Sequence, residues 1–86
     1  MKKILWVSDM GFEGYLPLNS SHNYHRPPLT WIYALNAYNV HYTQVHKIKE
    51  KFDLAIIASI HENVDVTTID IQAIKQVADK IGRAHV

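Results

Sequence analysis

The 86 residues carry nine Lys and Arg against eight Asp and Glu, with 48% hydrophobic and 20% charged residues, the material of one small folded domain and not of a disordered chain. The acids and bases are interspersed, so the basic stripe that nucleic-acid binding requires is missing and no nucleic-acid partner is expected. With no cysteine in the chain, disulfides, thiolate nucleophiles and cysteine-ligated metals are excluded.

Met1-Lys2-Lys3 has the look of a signal-peptide start, but only four apolar residues (Ile4, Leu5, Trp6, Val7) precede Ser8-Asp9, too few for an h-region. No apolar run reaches the length of a membrane span. A cytoplasmic protein without a transmembrane segment is the expectation.

In chain order, residues 3–8 form a continuous apolar run closed by a polar loop, which predicts a strand buried on both faces. Residues 9–27 read as a long loop rich in Gly, Asn, Ser, His and Pro; loops of that length in a compact domain usually carry function or are disordered. Pro28 suits the first position of a helix. That helix runs through Leu29 to Leu35 with Leu29, Ile32 and Leu35 on one face, and Asn36 or Asn39 ends it. Residues 40–43 form a short strand with alternating character, and the basic segment 44–51 holds at most two helical turns. Residues 52–59, FDLAIIAS, are a second strongly buried strand. A helix then spans 67–80, with Thr67 as cap, Asp70 in the first turn, and an apolar stripe of Ile71, Ile74, Val77, Ala78 and Ile81.

Strands alternating with helices predict an α/β fold: a three-stranded parallel Rossmann-like sheet with flanking helices, an incomplete doubly wound domain with right-handed crossovers. Its strand order is either 3-2-1 or 2-1-3.

The last six residues, IGRAHV at 81–86, resemble the translation of a short-read sequencing adapter, whose codons are ATC GGA AGA GCA CAC GTC. The two adapter bases before them restrict residue 80 to Lys, Gln or Glu, and it is Lys80. Residues 1–80 are therefore expected to be a partial domain and 81–86 a non-native tail; the alternative is a native tail with Gly82 as a helix C-cap. Without Arg83, eight bases stand against eight acids, and the native portion is formally neutral.

Ligands of open parallel sheets bind outside the carboxyl ends of the strands. That rule selects Asp9, Gly11, Gly14, His22, His25 and Arg26 from the first loop, and His61 and Glu62 from the loop after residue 59. Gly11 and Gly14 make G-x-x-G rather than the dinucleotide fingerprint G-x-G-x-x-G, and no helix opens at them. A P-loop is excluded because no Gly-Lys-Ser/Thr follows. The glycines either allow positive φ in a wandering loop or admit a ligand. His25 could act as a general base, since histidine titrates near working pH; it could equally be a surface residue. Asp9 could bond a sugar hydroxyl, serve as base, or form an Asx-turn. His61-Glu62 is either a substrate contact or polar punctuation before a helix. The histidines, His41 included, lack the helix-borne H-E-x-x-H arrangement, and no metal site is expected. Trp6 and Trp31 lie in apolar patterns and are expected in the core.

Together KKILWVSDMGFEGY, LTWIYAL and KFDLAIIAS resemble the amino-terminal domain of a two-domain glycosyltransferase of the GT-B type. The resemblance spans residues 2–59 and on into the following helix. It implies a domain that holds a sugar or glycan acceptor, with the nucleotide-sugar donor held by a carboxyl-terminal domain that this chain does not contain. It implies that Asp9, Gly11 and Gly14 line the cleft below the donor; the adjacent glycines common in that family stand three apart here. On this expectation Asp9 or His25 is the catalytic base, while Gly11, Gly14, Arg26, His61 and Glu62 contact substrate. The fragment alone would bind no cofactor and be inactive. The alternatives are a stand-alone α/β binding or regulatory module of receiver or flavodoxin type, and another Rossmann-like enzyme using the same strand ends.

Overall fold

A computed structural model describes residues 2–9, 13–17, 29–59 and 71–85. Its frame is a four-stranded, all-parallel sheet in the order β2-β1-β3-β4, with β1 at Ile4–Ser8, β2 at Tyr38–His41, β3 at Phe52–Ser59 and β4 at Ala78–His85. Helix α1 covers Leu29–Ala34, helix α2 covers Ile71–Val77, and a 3-10 helix at Tyr42–Lys47 connects β2 to β3. The α/β class is the one expected, and of the two strand orders left open the sheet takes 2-1-3. The strand count is four and not three.

β1 pairs with β2 on one side and β3 on the other, so both its faces must be covered, and that is why its residues form an unbroken apolar run. Leu5, Trp6, Val7 and Ser8 are all buried. Leu5 and Val7 join Ala55, Ile57, Val45, Ile74 and Val77 in one core cluster. Trp6 points to the opposite face and packs with Ile32, Ala37 and Ala58. The period-two alternation of β1 thus feeds two cores, one under α2 and the 3-10 helix, one under α1.

Helix α1 has six residues, too few to persist on propensity alone. Ile32, which is fully buried, holds it to the sheet. Its end is a Schellman motif: Asn36 takes φ 49°, its amide donates to the Tyr33 carbonyl at 3.0 Å, and the Ala37 amide donates to the Ile32 carbonyl at 3.0 Å. Ala37 and Ile32 also meet in the core, which is the apolar contact that accompanies this motif. Asn36, not Asn39, ends the helix, and the chain leaves it directly into β2, two residues earlier than the alternation at 40–43 predicts.

The basic segment keeps to the two helical turns expected of it, as a 3-10 helix that begins two residues early at Tyr42, with Val45 in the core. Two further expectations are corrected. Trp31 and Leu35 are each 40% exposed: with α1 so short, only Ile32 is fully covered, and Trp31 meets Trp6 edge-on at 6.2 Å from the solvent side. The second helix stops at Val77, and Ala78 begins β4. Ala78 and Ile81 still reach the core cluster of Ile74 and Val77, but from a strand. The same apolar residues serve either conformation, so periodicity could not choose; the open edge of β3, with its unpaired amides and carbonyls, decides. Residues 81–85 form the second part of β4 and pair in register from Ala55↔Ile81 to Ser59↔His85.

Candidate functional site

In the order 2-1-3, the chain turns to opposite sides of β1, so the topological switch point lies between β1 and β3, the crevice where such sheets take ligands. Asp9 follows directly on the end of β1 and is half-buried. The segments that carry the predicted site residues leave the sheet from these two neighbouring strand ends. Gly11, His22, His25, Arg26, His61 and Glu62 lie outside the described residues.

Beside Asp9 stands a polar row on the α1 face. Ser8 is paired with His41 in register, and Trp6 with Asn39; alternation puts all four side chains on one face. Ser8 and Asn39 are buried, and the Ser8 hydroxyl donates to Asn39 Oδ1 at 3.4 Å. Buried polar groups need such partners, since each one left unmet costs about 1–3 kcal/mol. His41 is half-buried and fixed from two sides. Its Nδ1 accepts from the Thr43 amide at 3.2 Å, lies 2.7 Å from Thr43 Oγ1, and thereby caps the 3-10 helix. Its ring stacks on Tyr42 at 4.5 Å between centroids, with 28° between planes.

Gly14 sits elsewhere. It exchanges backbone hydrogen bonds with Asn39 across the outer edge of β2 and holds φ 112°. A Cβ there would meet nothing within 4 Å, so its glycine is required by backbone conformation and not by a close approach. Tyr15 next to it packs edge-on against Tyr38 at 5.2 Å.

A cavity of about 110 Å³ opens at the other end of the sheet, lined by Lys2, Lys3, Ile4, Tyr15, Leu35 and Asn36. The Lys3 ammonium there contacts Glu50 at 2.6 Å, and this bond raises the Lys3 pKa above its ordinary 10.5. The cavity lies at the amino ends of the strands, away from the crevice that parallel sheets use. Among the described residues no three His, Asp or Glu side chains converge as a metal site, and no helix is long and apolar enough to cross a membrane.

Sequence reasoning found Asp9 by position but passed over its neighbours. Ser8 reads as the end of a strand, Asn39 as a helix stop and His41 as one of the histidines without a metal-site arrangement. Their convergence depends on which strand lies beside β1, which no local signal encodes.

No known protein family, curated protein or solved structure matches this chain.

Proposed function

We propose that residues 1–80 are part of the acceptor-side domain of a GT-B type glycosyltransferase, which transfers a sugar from a nucleotide-sugar donor to a hydroxyl. On this reading the protein is cytoplasmic, the donor domain lies in chain not included here, residues 81–86 are non-native, and the 86-residue chain alone is inactive. One observation supports it most: the switch point falls between β1 and β3, so Asp9 and the two loops with the candidate residues start from adjacent strand ends. Asp9 would orient the acceptor hydroxyl and take its proton, with His25 as the other candidate base; positioning would supply much of the rate. Gly11, Arg26, His61 and Glu62 would contact substrate.

The test is the genomic continuation past Lys80. A second βα domain with a Glu- or Arg/Lys-bearing donor motif is expected, and a stop codon soon after Lys80 sinks the reading. Turnover of any nucleotide sugar by the purified 86-residue protein would refute the inactivity.

The strand order 2-1-3-4 favours a second reading, since it is also the order of flavodoxin-like modules. A receiver of that type wants paired acids after β1 and an acid at the end of β3. This chain offers Asp9 and Ser59 there, which weighs against the receiver form.

A further inference from the structure

We propose that the outer edge of β4 is a docking surface for a second copy of this chain, with β4 paired antiparallel to β4 about a two-fold axis at Ile81. The inference stands apart from the acceptor-domain reading and concerns the 86-residue chain, residues 81–86 included.

The two edges of the sheet differ. β2 and β4 are its outer strands. The outer backbone of β2 is taken by Gly14, which exchanges hydrogen bonds with Asn39. β4 has eight residues and no proline, and among the described residues it pairs only with β3. Its outward amides and carbonyls are therefore a template for another strand. With the edge of β2 covered, stacking of β4 onto β2 of the next copy is obstructed. A two-fold pair of β4 edges uses up both templates and closes on itself.

Charge sets the register. An axis normal to the sheet keeps facing residues on one face, so the axis passes through a residue and not between two. Centred on Lys80, the pairing sets that lysine against itself. Centred on Gly82, it sets Arg83 against the apolar Ile81. Centred on Ile81, it sets Asp79 opposite Arg83 twice and spans residues 78–84 of the strand. Opposite charges directly across a strand pair stabilise it, and like charges do the reverse. Asp79 and Arg83 are both exposed. Lys80 then faces Gly82, whose missing side chain leaves room for the lysine stem.

The same register joins two cores. Ile81 is half-buried and packs against the cluster of Ala55, Ile74 and Val77. At the axis it meets the Ile81 of the second copy, so the apolar layer under α2 continues from one sheet into the next. Two short strands make a small interface of the transient class, and a weak dimer in exchange with monomer is expected.

The experiment is sedimentation velocity on the full chain, from micromolar to millimolar protein. A reversible monomer–dimer equilibrium that weakens in high salt is expected. Asp79→Arg turns two attractive pairs into two repulsive ones and should weaken association about tenfold or more. Asp79→Arg combined with Arg83→Asp should restore it, and thermal melts of dilute protein should be alike for all three chains. A monomer throughout, a dimer indifferent to salt or to Asp79→Arg, or a failed rescue by the charge swap overturns the proposal. Open-ended polymers overturn the closed two-fold pair. If a variant fails to fold, the salt dependence of the unaltered chain still decides.

Discussion

Gly14 and Asn39 exchange a pair of backbone hydrogen bonds, Gly14 N–H to Asn39 O at 3.0 Å and Asn39 N–H to Gly14 O at 2.9 Å. β2 is an edge strand, and Asn39 is the residue whose amide and carbonyl turn outward from the sheet. The loop after β1 thus covers the exposed backbone of β2 at the point where the Asn39 side chain, on its other side, holds Ser8. One residue joins the loop, the edge and the polar row on the α1 face.

Gly14→Ala should destabilise the protein by about 1–3 kcal/mol, the cost of holding a non-glycine residue at a left-handed φ. The open space around a Cβ there means that no steric term adds to it. Urea denaturation followed by circular dichroism measures the loss; an unchanged midpoint would show that the loop does not need this conformation.

Asn36 occupies the left-handed position that closes α1. Asn36→Ala should cost about 1 kcal/mol, while Asn36→Gly should be neutral or stabilising, because glycine adopts that φ without a Cβ penalty. A lower melting temperature for Asn36→Ala but not for Asn36→Gly is the expected signature.

Removing residues 81–86 deletes five of the seven register pairs between β3 and β4 and uncovers the long inner strand β3. Residues 1–80 alone should aggregate or melt without cooperativity and bind a hydrophobic dye. A cooperative, monomeric melt of 1–80 would instead mark a self-sufficient small module whose sheet does not depend on that strand.

The Lys3–Glu50 pair gives an alkaline signature. Glu50 raises the Lys3 pKa, so the pair's contribution is fully present below the unfolded value near 10.5 and disappears as pH rises through the higher folded value. Glu50→Gln should therefore lower stability slightly at neutral pH, and the two proteins should converge above that window. Both side chains are about half exposed, so 1 M salt should also shrink the difference. A gap that persists in salt and alkali would assign the effect to packing.

The sequence by itself determined the class of the fold and its two inner strands. β1 and β3 are buried on both faces, so they had to be continuous apolar runs, and such runs are visible without a structure. It also placed Asp9 at a strand end and Asn36 among the helix stops, because both follow from local chemistry. Only the tertiary structure decided that β3 lies beside β1, that residues 78–85 form a strand, and that Ser8, Asn39 and His41 share one face. Strand neighbours are chosen by long-range packing, here by Val45 drawing the short connection across β1. Ala78 and Ile81 satisfy the core from helix or strand alike, so the choice fell to the unpaired edge of β3, which no local window of sequence contains.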